Sequence, residues 1–154
     1  MKRKQINSFL ESIIPGIKFD YRYGSDFQCW RAPAACDNNC TIWINKDKFF
    51  KYSDIEQKGI LLHEVGHVLT CNITSEVEAE YSAQMTAIQL AKSHRWMTVY
   101  KELDLMISNW ATDYKWNYQH GQYRRYILAG RKYNGEKLNA KLTKVRNRST
   151  KVGG

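Results

Sequence analysis

Apolar residues recur at helical spacing over residues 4–14 (KQINSFLESII), at Ile6, Phe9, Leu10, Ile13 and Ile14, and Pro15-Gly16 closes that segment. From Ile17 to Tyr23 apolar and polar positions alternate, which predicts a strand. Gly24 to Asn39 is rich in Gly, Pro, Asp and Asn and reads as a loop or irregular hairpin, and Thr41 to Asn45 is a short β-favouring run before a polar turn. Ser53-Asp54-Ile55-Glu56 has the form of a capping box, so a helix is expected from Asp54 to about Thr70. Ser75-Glu76-Val77-Glu78 is a second one, opening a helix that runs to about Ser93. On it Ala79, Ala83, Ala87 and Ala91 form a smooth face against which another helix can pack closely. Beyond Trp96 the pattern stays helical but becomes aromatic, with rings expected to pack against Leu103, Met106 and Ile107.

These elements predict an α+β fold: a short antiparallel or mixed sheet, then a central helix and a mostly helical C-terminal half. The length of 154 residues suits one domain, taken as 1–130, followed by a basic tail over 131–154. No apolar run approaches the ~18 residues of a membrane span. Asn7, Ser8, Glu11 and Ser12 interrupt the apolar residues near the start, so no secretory signal is read there and the expected location is cytoplasmic.

Charge adds one feature to this outline. The net charge of +9 is confined to the C-terminal end: residues 1–120 carry 14 basic and 14 acidic side chains, and residues 121–154 carry 10 basic ones against Glu136 alone. Such a segment can meet nucleic acid, through Arg131, Lys132, Lys141, Lys144, Arg146 and Arg148, or serve as a solvated tail.

The four cysteines, Cys29, Cys36, Cys40 and Cys71, are expected as reduced thiols, since no export signal is read. Their C-x6-C-x3-C spacing lacks paired C-x-x-C knuckles; a disulfide or a structural zinc using all four is the alternative.

The chemistry concentrates in GILLHEVGHVLT, Gly59 to Thr70. Positions four apart on a helix share a face, so His63 and His67 can direct two imidazoles at one ion. Glu64 lies about a hundred degrees round the helix, where its carboxylate can act as general base on a zinc-bound water without ligating the metal. A catalytic zinc normally takes three protein ligands, and Glu76, Glu78 and Glu80 follow within a short distance. Glu76 and Glu80 share a helix face and could supply one ligand and one supporting carboxylate.

His63-Glu64-Val65-Gly66-His67 followed by Glu76-Val77-Glu78-Ala79-Glu80-Tyr81-Ser82-Ala83 resembles the gluzincin zinc metallopeptidases, most closely the ImmA/IrrE-type family. The likeness covers roughly residues 41–90. It implies a small zincin-like domain, zinc on His63 and His67, Glu64 as catalytic base, and Glu76 as third ligand, with Glu80 as its rival or as a supporting carboxylate. It further implies a sheet-edge strand at Thr41 to Asn45, whose Ile42, Trp43 and Ile44 would pair with an extended substrate. A Tyr or His in the C-terminal half would stabilise the oxyanion, with Tyr114, Tyr118, His120, Tyr123 and His94 as candidates. The function implied is hydrolysis of peptide bonds in a protein partner, in a phage or bacterial setting. The rival expectation is a nucleic-acid-associated regulatory or phage protein that binds through its basic C-terminus, its zinc structural or accessory.

Overall fold

A computed structural model describes residues 1–26, 32–73 and 76–112, with the side chains of residues 26, 76, 77 and 107–112 left aside. Helix α1 (Arg3–Ile13) precedes strand β1 (Phe19–Arg22), then come β2 (Ala34–Cys36) and β3 (Ile42–Asn45). Three longer helices follow: α2 (Asp54–Leu69), α3 (Glu76–Ser93) and α4 (Met97–Thr112). The α+β class expected from the sequence is therefore the observed one. No helix among the described residues is long and apolar enough to cross a membrane.

The sheet is mixed, in the order β1-β3-β2. Strand β3 runs parallel to β1, with Phe19 opposite Ile42 and Tyr21 opposite Ile44, and antiparallel to β2, with Ala34 opposite Ile44 and Cys36 opposite Ile42. Ile42 and Ile44 turn inward to a core shared with Ile6 and Leu10 of α1 and with Leu61, Leu62 and Val65 of α2.

The topology corrects one expectation. Thr41 to Asn45 does not form a sheet edge: β3 is the central strand, paired along both sides. The segment expected as a loop or irregular hairpin supplies β2, which pairs antiparallel with β3 and forms the edge on one side of the described sheet, from three small residues with little strand propensity of their own.

Helix α2 begins as its capping box predicts, with Ser53 Oγ accepting from the Glu56 N–H (3.3 Å) and Glu56 Oε2 accepting from the Ser53 N–H (2.7 Å). Its middle, Gly59 to Gly66, is buried without interruption, because α3 and α4 pack on one side and the sheet on the other. The α2–α3 crossing is a backbone contact. A Cβ placed on Gly66 would stand 2.1 Å from the Ala83 carbonyl oxygen and 2.7 Å from its Cα.

A second correction concerns the cysteines. Cys40 and Cys71 form a disulfide that ties the β2–β3 turn to the end of α2, across a sequence separation of 31. The fold brings their Cα atoms to 6.3 Å, within bridging range. Two of the four sulfurs are thereby removed from any four-cysteine zinc site; Cys36 is a free thiol and Cys29 lies outside the described residues.

The Gly66 contact predicts a reversed sign for a familiar substitution. Replacing an exposed helical glycine by alanine gains up to ~1 kcal/mol. Gly66→Ala should instead destabilise the fold by about 3 kcal/mol in urea unfolding, the upper range for overpacking. Unchanged or raised stability would contradict so close a crossing.

Candidate metal centre

Three side chains converge where α2 and α3 cross. His63 and His67 lie one turn apart on α2 with rings nearly perpendicular, at 87°. Glu80 stands on α3, one turn before the Ala83 that touches Gly66. The absence of a side chain at Gly66 is thus what lets the Glu80 carboxylate reach both imidazoles. His63 Nε2 lies 3.1 Å from Glu80 Oε2, His67 Nε2 lies 3.2 Å from Glu80 Oε1, and the two Nε2 atoms are 3.1 Å apart.

These spacings suit a metal. A tetrahedral ion with ~2.0–2.1 Å bonds sets its ligand atoms about 3.3 Å apart. The two imidazole nitrogens already stand 3.1 Å apart, each histidine meets its own oxygen of the Glu80 carboxylate, and one ligand atom from each of the three residues lies within 4.8 Å of the others. The electronic argument agrees. Two imidazole nitrogens and a carboxylate oxygen face one another, and three lone pairs cannot meet in a half-buried site without a cation among them. Either a proton or a metal ion meets that need, and the group is able to hold a metal.

Protonation follows the same logic. Burial alone would lower the His63 pKa, but the hydrogen bond to Glu80, the charges of Glu64 and Glu80, and Gln84 together raise it above the ordinary histidine value. Burial would raise that of Glu80, yet hydrogen bonds to His63 and His67 and their charge hold it well below the usual carboxylate range. Glu64 is pushed up by burial and by the charge of Glu80, against the opposing pull of His63, His67 and the backbone N–H of Cys36, which donates to its carboxylate. A buried carboxylate with a raised pKa suits a general base.

Antiparallel pairing explains why Cys36 is free to make that bond. Pro33 and Asp37 pair with β3, through Asn45 N–H to Pro33 O (2.9 Å) and Asp37 N–H to Thr41 O (3.0 Å). The alternate residues Ala34 and Cys36 therefore turn their backbone groups away from β3. The Cys36 thiol is pushed up to about 12 by burial and by the nearby Glu64 and Asp37, so it stays protonated and unreactive at neutral pH.

Of the residues singled out in sequence, His63, Glu64, His67 and Glu80 come together here. The carboxylate against both histidines belongs to Glu80, the rival ligand; Glu76 opens α3 and its side chain is among those left aside. Ile42 and Ile44 are fully buried, and the Trp43 indole donates to Asp37 (2.8 Å) beneath the Arg22 guanidinium. The main chain of β3 is taken up within the sheet on both sides, so the expected pairing of an extended substrate with Ile42, Trp43 and Ile44 is closed to it. His94 stacks on Trp96 just after α3, and the same indole meets the Phe9 ring of α1. Tyr114, Tyr118, His120, Tyr123 and the basic residues Arg131, Lys132, Lys141, Lys144, Arg146 and Arg148 lie outside the described residues. Gln84, fully buried and hydrogen-bonded to His63, was not singled out; its place four residues after Glu80 on the same helix face was the available signal. No family model, curated protein or solved structure matches the chain.

Protons and metal compete for this centre, with a defined sign. Protonated His63 stabilises the metal-free fold fully below the ordinary histidine pKa of ~6.5, and that contribution fades as pH rises through the raised folded value. Zinc requires the deprotonated ligands, so its binding strengthens over the same interval. The zinc-induced rise in Tm should therefore grow as pH rises from the ordinary histidine value of ~6.5 through the raised folded value of His63, in thermal melts with zinc or chelator. A zinc effect independent of pH would contradict the assignment.

Proposed function

We propose that this chain is a zinc-dependent metallopeptidase of the gluzincin type, hydrolysing peptide bonds of a protein substrate. The observation that carries the reading is the convergence of His63, His67 and Glu80, each imidazole Nε2 3.1–3.2 Å from an oxygen of the Glu80 carboxylate and the two Nε2 atoms 3.1 Å apart, beside a buried Glu64. The resemblance of His63–His67 and the acidic segment after it to the ImmA/IrrE-type family points the same way.

His63, His67 and Glu80 would hold the metal. Zinc in such a site supplies Lewis acidity, lowering the pKa of a coordinated water toward ~7 and polarising a carbonyl group. Glu64 takes the proton of the attacking water and delivers it to the leaving amine. The Cys36 N–H holds the Glu64 carboxylate in place from β2. Because β2 turns the Ala34 backbone and the Cys36 carbonyl away from β3 while the Cys36 N–H stays on Glu64, an extended substrate would pair with those remaining groups of β2, one strand over from the position the resemblance implied. The wall of Leu61, Leu62 and Val65 keeps the ligand-bearing turn of α2 rigid. The rival reading, a nucleic-acid-associated protein, rests on the ten cations of residues 121–154 and is compatible with a peptidase carried to a nucleic-acid-bound substrate.

Two substitutions separate base from ligand. Glu64→Gln should retain zinc while peptide hydrolysis falls by about 10²–10⁴-fold, the usual worth of a general base. Glu80→Gln should lose both zinc and activity. Elemental analysis beside a peptide-cleavage assay measures each; full activity in Glu64→Gln, or zinc retained at wild-type affinity in Glu80→Gln, would overturn the reading.

A further inference from the structure

Gln84 is a polar side chain with no exposed surface, set among the apolar residues of three helices. Both ends of its amide are engaged. Its Oε1 lies 2.6 Å from His63 Nδ1, and its Nε2 donates to the Leu103 carbonyl oxygen of α4 at 2.9 Å.

The chemistry of that chain of contacts runs in one direction. A backbone carbonyl can only accept, so the Leu103 oxygen fixes which end of the amide is NH2. The amide oxygen then faces His63, which requires Nδ1 to carry a hydrogen and to donate it. His63 is thereby held as the tautomer whose Nε2 lone pair points at His67 and Glu80. Helix α4 is itself seated against α2 one turn before His63: a Cβ on Gly59 would lie 3.5 Å from Glu102 Cγ and 3.6 Å from Met106 Sδ.

We propose that Gln84 is a positioning residue for the metal ligand His63 and ties α4 to the ligand set, so that metal occupancy and the docking of α4 reinforce each other. This rests on the metal-binding reading above and extends it to a helix that supplies none of the three converging side chains. Coupling of this kind is reciprocal: whatever α4 docking adds to metal affinity, the metal returns to α4. Gln84 also differs from a supporting carboxylate. It is neutral, so it orients His63 without adding a negative charge to a centre that already holds Glu64 and Glu80.

The test compares wild type with Gln84→Met, which keeps length and loses hydrogen bonding, and Gln84→Glu, which keeps an acceptor toward Nδ1. Zinc affinity is read by competition with a chromophoric chelator, and α4 by hydrogen exchange with and without zinc. Gln84→Met should bind zinc about 10–100-fold more weakly, Gln84→Glu should stay within about threefold of wild type, and zinc should protect α4 amides in wild type but not in Gln84→Met. Wild-type affinity in Gln84→Met would show that Gln84 only fills space, and α4 protection equal in both chains would remove the coupling; either overturns the proposal. Should Gln84→Met not fold, long-range nitrogen–proton NMR of metal-free wild type in alkaline buffer decides. A proton on His63 Nδ1 supports the proposal and a proton on Nε2 sinks it. A wild-type chain that takes no zinc would remove the metal reading alone, and the tautomer would still report on Gln84.

Discussion

The backbone contact between Gly66 and Ala83 is the constraint on which the centre depends. It brings α3 closer to α2 than any side chain at position 66 would permit, and it does so between the two elements that carry the three converging groups. One turn before Ala83 stands Glu80; one residue after Gly66 stands His67. With the helices pressed together at that point, the carboxylate meets both imidazoles within 3.1–3.2 Å. Wider spacing would leave a partly buried glutamate and two histidines, one of them buried, without mutual partners, at a cost of about 1–3 kcal/mol for each polar group left unpaired. Gly66 within His-Glu-Val-Gly-His is therefore as necessary to the geometry as the histidines are.

Around this crossing the fold supplies support from three directions. The sheet approaches through β2, whose Cys36 N–H meets Glu64. Helix α4 approaches through Leu103 and reaches His63 by way of Gln84. The Cys40–Cys71 disulfide fastens the β2–β3 turn to the chain just beyond α2. Each polar group in the centre thus has a partner on a different element, which is how a helix as buried as α2 tolerates His63 and Glu64 in its middle.

The parts of this structure that were legible in the sequence are those fixed locally. The capping box at Ser53 and the i, i+4 histidines state where α2 starts and which face carries chemistry, and the alanines of α3 announce a close helix contact. What was not legible depends on partners distant in sequence. Ile42-Trp43-Ile44 has the strongest strand signal because it is the central strand and packs on all sides, whereas the true edge, Ala34-Ala35-Cys36, is short and weakly patterned. The strand expected at the edge was for that reason the wrong one. Four cysteines permit three pairings, and nothing local favours Cys40 with Cys71. The choice between Glu76 and Glu80 turns on the axial register of α3 against α2, which the Gly66–Ala83 contact sets and periodicity alone does not.

The most direct measurement of the central claim, that His63, His67 and Glu80 hold zinc, is X-ray absorption at the zinc edge on protein loaded with one equivalent. The arrangement predicts a first shell of nitrogen and oxygen at ~2.0–2.1 Å with the outer-shell scattering of two imidazoles and no sulfur. A sulfur shell at ~2.3 Å would place the metal on cysteine instead and contradict the account.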